Sequence, residues 1–154
     1  MIMNIVKLQQ EIIKDYLNDK RGKWYIQIKE SEVYIMSRTQ VFILSPKEFV
    51  LDIDKLGLSN TNIADSLIKS AKEAKKTNKT GIIKSVICQG KDVNCLELKR
   101  EDNGEIAYVD LTLLKLFDKN CDFAVINGKS PIFIYEYNIL VGVVLPINLG
   151  GDKR

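Results

Sequence analysis

The sequence predicts an α+β protein built from repeated helix-plus-three-strand units with antiparallel sheets. Three observations lead there. One segment is written nearly the same way twice, as Val33-Tyr-Ile-Met-Ser-Arg-Thr-Gln-Val-Phe-Ile-Leu-Ser-Pro46 and as Ile132-Phe-Ile-Tyr-Glu-Tyr-Asn-Ile-Leu-Val-Gly-Val-Val-Leu-Pro146. Each copy is a pair of alternating strands broken by a polar turn and closed by proline, and each follows an amphipathic helix and one further strand. Repeated units of this kind bury their apolar faces against their neighbours. The 154 residues, 45% hydrophobic and 28% charged, suffice for one compact core.

From Ile5 to Asn18, Ile5, Leu8, Ile12, Ile13, Tyr16 and Leu17 recur at helical spacing, with Lys7, Glu11 and Lys14 on the opposite face. Asp19-Lys-Arg-Gly22 supplies the stop. Trp24 to Lys29 alternates as a strand with Trp24, Ile26 and Ile28 on one face. The first repeat copy gives two more strands, and Phe49 to Asp54 alternates again. Asn62 followed by Asp65 resembles a helix start. Ile63, Leu67, Ile68, Ala71 and Ala74 then form an apolar stripe, and Thr77-Asn-Lys-Thr-Gly81 ends the helix.

Strands are expected at Ile82–Cys88 and Cys95–Arg100. Glu101-Asp-Asn-Gly-Glu105 reads as a hairpin turn, because Asn103 and Gly104 tolerate positive φ. Ile106–Val109 returns, a third helix covers Leu111–Phe117, and Asp122–Asn127 is a strand before the second repeat copy. Gly150-Gly-Asp-Lys-Arg154 reads as a frayed tail. The chain divides into a half-unit at 1–58, a larger domain at 59–147 and a tail at 148–154, forming one structural unit.

Several chemistries are excluded. The chain has no histidine, so Ser-His-Asp and Cys-His triads and imidazole metal sites are absent. No GxxxxGK[ST] or GxGxxG occurs. Cys88, Cys95 and Cys121 form no CxxC pair and read as free thiols of a reducing cytoplasm. Asp52 and Asp54, two apart on an expected strand, permit a divalent ion with Glu48 or simply a solvated strand face. No cofactor or resident metal is expected, and nothing points to an enzyme. The N-terminal apolar run is too short for a signal peptide, and none approaches membrane-spanning length.

The binding candidates are basic. Lys69, Lys72 and Lys76 lie three and four apart on the second helix, and Lys79 continues the series. Such a face neutralises phosphates without reading base sequence. It also serves as a solubilising surface, and Asp65 and Glu73 dilute it. Lys7 and Lys14 on the first helix are secondary candidates. Tyr34, Tyr108, Tyr135 and Tyr137 permit base stacking, but their alternation in strands favours packing instead. Leu113-Leu-Lys-Leu-Phe117 resembles the short peptide with which bacterial replication proteins dock onto sliding clamps, and it also has the spacing of a packed helix.

Residues 61–147 resemble a bacterial DNA sliding-clamp domain, the family of the polymerase III beta subunit. The stretches that carry the resemblance are Ile106-Ala-Tyr-Val-Asp-Leu-Thr-Leu-Leu-Lys-Leu-Phe, Cys121-Asp-Phe-Ala-Val-Ile-Asn, Ser130-Pro-Ile-Phe-Ile-Tyr and Leu140-Val-Gly-Val-Val-Leu-Pro146. Residues 1–58 resemble a further half-unit. The resemblance implies a DNA-clamp-like fold, helices facing double-stranded DNA through basic side chains, sheets forming an outer shell, and no catalysis. It also implies replication proteins as partners. A full clamp subunit has two or three domains, whereas this chain has about three half-units, so a ring requires a homo-oligomer. The resulting expectation is a cytoplasmic, clamp-like DNA-associated protein, such as one serving replication of a phage or mobile element. The alternative is a protein-interaction adaptor that reuses the fold without binding DNA.

Overall fold

Local signals start and stop most elements where the sequence places them. A computed structural model describes residues 3–18, 24–29, 31–56, 58–76, 83–89 and 94–147, with the backbone alone for 53, 59, 74–76 and 83–89. The first helix, α1 (Ile5–Leu17), begins at Asn4, whose side chain accepts from the Lys7 amide. Strands β1 (Tyr25–Ile28), β2 (Val33–Met36) and β3 (Gln40–Leu44) follow. A short helix α2 (Ile53–Leu56) and a two-residue strand β4 (Ser59–Asn60) lead into α3 (Ile63–Lys76). Then come β5 (Ile83–Gln89), β6 (Asn94–Arg100) and β7 (Ile106–Asp110), and finally β8 (Asp122–Ala124), β9 (Ile132–Glu136) and β10 (Ile139–Val144). The expected helix end at 77–81, the stop at 19–22 and the tail at 148–154 lie outside the described residues.

The result is an α+β fold with a seven-stranded sheet, ordered β4-β1-β2-β3-β10-β9-β8, and a three-stranded sheet, β5-β6-β7. All pairings are antiparallel except the short β1–β4 contact. The two repeat copies are the hairpins β2–β3 and β9–β10, and they join edge to edge through β3 and β10, with Phe42 opposite Gly142. The large sheet therefore takes strands from both sides of position 58.

Strands β2 and β3 are apolar on both faces, so the large sheet needs cover on both. Val33, Ile35, Phe42, Leu44, Ile132 and Ile134 face one core, which receives Leu8 and Ile12 of α1 and Leu98, Ala107 and Val109 of the small sheet. Tyr34, Met36, Val41, Ile43, Phe133 and Val143 face a second core, closed by Ala64, Ile68 and Ala71 of α3. The two long helices thus cover opposite faces of one sheet.

Several expectations are corrected. Phe49 to Asp54 is not a strand. Ser45 and Glu48 form a capping box on a 3-10 turn at Pro46–Glu48, and the buried Gln9 then occupies the backbone that a strand neighbour would bind. Its Nε2 donates to the Glu48 carbonyl at 3.0 Å, and its Oε1 accepts from the Val50 amide at 2.7 Å. Asp52 accepts from the Asp54 and Lys55 amides and starts α2. The third helix is only a 3-10 turn, Leu111–Leu114, begun by Asp110, whose carboxylate accepts from the Thr112 amide. On α1, Ile13 and Leu17 were expected on the packed stripe but are 38% and 74% exposed. The buried arc is centred instead on Leu8 and Ile12. Ile28, the last residue of β1, is likewise exposed. Expected strand Asp122–Asn127 is trimmed to β8.

In the β6–β7 turn only Gly104 adopts positive φ; Asn103 instead accepts from the Glu105 amide. Arg100, buried beneath this turn, donates to Asp102 from Nε and Nη2 and to the Ile126 carbonyl from Nη1. The guanidinium beside Asp102 holds its carboxyl below the usual range. Cys95 is disulfide-bonded, and the backbone register sets position 88 directly opposite it on β5. The free-thiol expectation therefore fails for Cys95 and holds for Cys121, whose thiol is pushed up to about 11, mainly by burial.

The β9–β10 hairpin turns through Tyr137 and Asn138, with φ of 52° and 64°. Two successive left-handed residues make the primed turn that matches strand twist. Asn138→Ala is expected to lower stability by about 1 kcal/mol, because a Cβ without a local hydrogen-bonding group is strained there. Asn138→Gly is expected to be harmless, and urea denaturation distinguishes the two.

Candidate nucleic-acid interface

Helix α3 divides its surface by spacing. Ala64, Ile68 and Ala71 are buried, so residues about a quarter turn away along one flank, Asp65, Lys69 and Lys72, reach solvent. Lys69 and Lys72, one turn apart, have no ion-pair partner among the described residues. They border a pocket of about 470 Å³ whose other walls are Lys29, Ser31, Glu32, Tyr34, Asp65 and Ile68.

Both acids in this pocket are engaged. Asp65 Oδ1 lies 2.6 Å from Lys29 Nζ. Lys29, and after it Gln27, holds the Asp65 carboxyl below the ordinary carboxylate range. Glu32 Oε1 accepts from the Tyr34 hydroxyl at 2.9 Å. Burial, followed by the Glu32 carboxylate, pushes the Tyr34 hydroxyl up to about 12. What stays without an ion-pair partner on this flank, among the described residues, is therefore the lysine pair, with an open pocket beside it.

The expected site residues separate into groups. Lys69 and Lys72 come together as anticipated. Lys76 continues α3 in backbone, but its side chain, like the whole of Lys79, lies outside the described residues. Lys7 and Lys14 are exposed on α1, across the sheet, so the structure does not bring them to the same surface. Sequence reading missed Lys29 and Glu32. Period-two alternation on β1 was the available signal: with Trp24 and Ile26 facing one core, Gln27 and Lys29 fall on the side that α3 covers.

Tyr34 is 5% exposed and packed, which removes it as a stacking platform. Leu116 and Phe117 are buried too, and the Phe117 ring stacks on Phe42 at 5.3 Å between centroids. The Leu113–Phe117 segment is thus occupied by core packing. Asp52 serves as a helix cap, and no cluster of three or more potential metal ligands occurs among the described residues. No helix among them is long and apolar enough to cross a membrane.

On the other flank of α3, Ile63 and Leu67 border a second pocket of about 470 Å³, floored by Met36, Val41 and Val143 with Arg38 at its rim. Comparison of the chain with protein families, with curated proteins and with solved structures finds no match. The clamp resemblance therefore rests on the residue pattern and the repeated units.

Proposed function

We propose that this is a non-enzymatic, clamp-like DNA-associated protein that makes sequence-independent phosphate contacts through Lys69 and Lys72. Lys76 and Lys79 extend the same series along the chain. The observation that supports the reading is the pair of exposed lysines on α3, without an ion-pair partner among the described residues, beside an open pocket whose two acids are both engaged by other groups. Replication of a phage or mobile element is the setting the clamp resemblance suggests, with further copies of the chain completing any ring. Lys7 and Lys14, on the opposite side of the sheet, belong to this reading only if DNA touches both faces of the protein.

Duplex binding followed by fluorescence anisotropy tests it. Affinity is expected to fall steeply with salt and to be indifferent to base sequence. Lys69→Glu with Lys72→Glu is expected to weaken binding at least about tenfold and to reduce the salt slope by about two, one for each lost phosphate contact. Salt-independent binding, or a charge-reversed variant that binds as well as the parent, would reject the reading.

The apolar pocket on the other flank of α3 favours a second reading, an adaptor that docks a partner's apolar side chain with an acidic residue facing Arg38. In that case Leu67→Asp abolishes partner binding and the lysine reversals leave it unchanged.

A further inference from the structure

We propose that Lys29 is a positioning residue for the phosphate-contacting face: it holds Asp65 against β1 and so keeps Lys69 free. The functional half of this inference rests on the phosphate-contact reading above. The ion-pair half stands without it.

Asp65 precedes Lys69 by four residues on α3. An acid four residues before a lysine is the favourable arrangement for an ion pair on a helix. That pair is not formed. The Asp65 carboxylate instead crosses to the end of β1, 2.6 Å from Lys29. Gln27, two residues earlier on the same face of β1 and buried, also helps to keep that carboxylate ionised. Glu32, the other acid lining the pocket, accepts from Tyr34.

Lys69 stays available to phosphate because Lys29, at the end of β1, holds the acid one turn before it. Without Lys29, helix spacing makes Lys69, one turn on, the cation placed to take up Asp65. The new pair would neutralise one phosphate contact and keep a carboxylate at the interface. Lys29 therefore controls affinity through Asp65, without touching the nucleic acid.

A two-by-two set tests this: the parent, Lys29→Ala, Asp65→Asn and the double variant, each titrated with a duplex at fixed low salt. Lys29 and Asp65 are each about half exposed, so none of the three variants removes a core contact. Lys29→Ala is expected to lower affinity about fivefold, of the order of one lost phosphate contact. In the Asp65→Asn background the same substitution is expected to cost less than about twofold, because no carboxylate remains to capture Lys69. An equal loss in both backgrounds would make Lys29 a phosphate ligand itself and overturn the proposal. An unchanged affinity in Lys29→Ala would overturn it as well.

A second measurement reads the ion pair without DNA. Carbon-13 signals of the lysine ε-methylenes are followed as Asp65 titrates at acid pH. In the parent the Lys29 signal is expected to track that titration and the Lys69 signal to stay still; in Lys29→Ala the Lys69 signal tracks it instead. A Lys69 signal that ignores Asp65 in the variant overturns the proposal. If the parent does not bind duplex, the phosphate reading and the functional half fail together, while tracking by Lys69 still supports the exchange of partners.

Discussion

Gly142→Val is expected to destabilise the fold by about 3 kcal/mol, at the upper end for overpacking, and to lower the urea midpoint accordingly. A Cβ at position 142 would sit 2.5 Å from Phe117 Cζ, 2.6 Å from Phe117 Cε1 and 2.9 Å from the Val41 carbonyl oxygen. None of these neighbours can give way cheaply. The Phe117 ring is stacked on Phe42, which is fully buried. The Val41 carbonyl belongs to β3 where it pairs with β10, one residue beyond position 142. The substitution therefore strains the junction through which the two repeat hairpins form one sheet. Gly142→Ala is expected to show a smaller loss in the same direction, partly recovered by adding Phe117→Leu. A neutral Gly142→Ala would mean that β10 can move away from Phe117.

The second large effect is expected at Glu136, the last residue of β9 and 5% exposed. It falls on the same strand face as Ile132 and Ile134, where the apolar run would otherwise continue into the first core. Its two oxygens accept from the Met3 amide and the Asp118 amide, each at 2.9 Å. Nearby, the Asn4 amide donates to the Leu116 carbonyl at 2.7 Å. One side chain thus ties the start of α1 and the end of the 111–117 segment to the large sheet. Glu136→Ala leaves both donors without their acceptor, at about 1–3 kcal/mol each. A total loss of about 3 kcal/mol is expected by denaturant unfolding. Glu136→Gln retains one acceptor oxygen and is expected to cost roughly half as much. Hydrogen exchange at Met3 and Asp118 separates this account from general loosening, since those two amides should lose protection first.

The strands were legible because their signals are local. Alternation and turn residues place β1, β2, β3, β6, β7, β9 and β10 within a residue or two of their observed bounds. The segment from Phe49 to Asp54 misled because its alternation is genuine: Phe49 and Leu51 pack against the core and Val50 is exposed. What it lacks is a strand neighbour, because Gln9, 41 residues earlier than Val50, takes its hydrogen bonds. No period in the segment itself announces that. Leu111–Phe117 failed as a helix for a related reason. Its leucines satisfy a helical stripe, but Phe117 is drawn into the gap above Gly142, and the turn stops at Leu114.

The candidate site was half legible. Lysines three residues apart on an amphipathic helix predict one exposed face from geometry alone. Their neighbours were not readable, since the spacing within α3 favours an Asp65–Lys69 pair and the fold substitutes Lys29.

By itself, the sequence determined three successive three-strand units, the first two opened by an amphipathic helix and the first and third carrying nearly the same hairpin, and a lysine-bearing outer face on α3. Each of these follows from periods of two and 3.6 residues and from side chains that cap or turn the backbone. Only the tertiary structure decided that the first and third units share a sheet and that α1 and α3 cover its opposite faces. Strands such as β2 and β3, apolar on both sides, require cover above and below without specifying which helix supplies it. That choice depends on contacts between residues distant in sequence, and it places Lys7 and Lys14 across the sheet from Lys69 and Lys72.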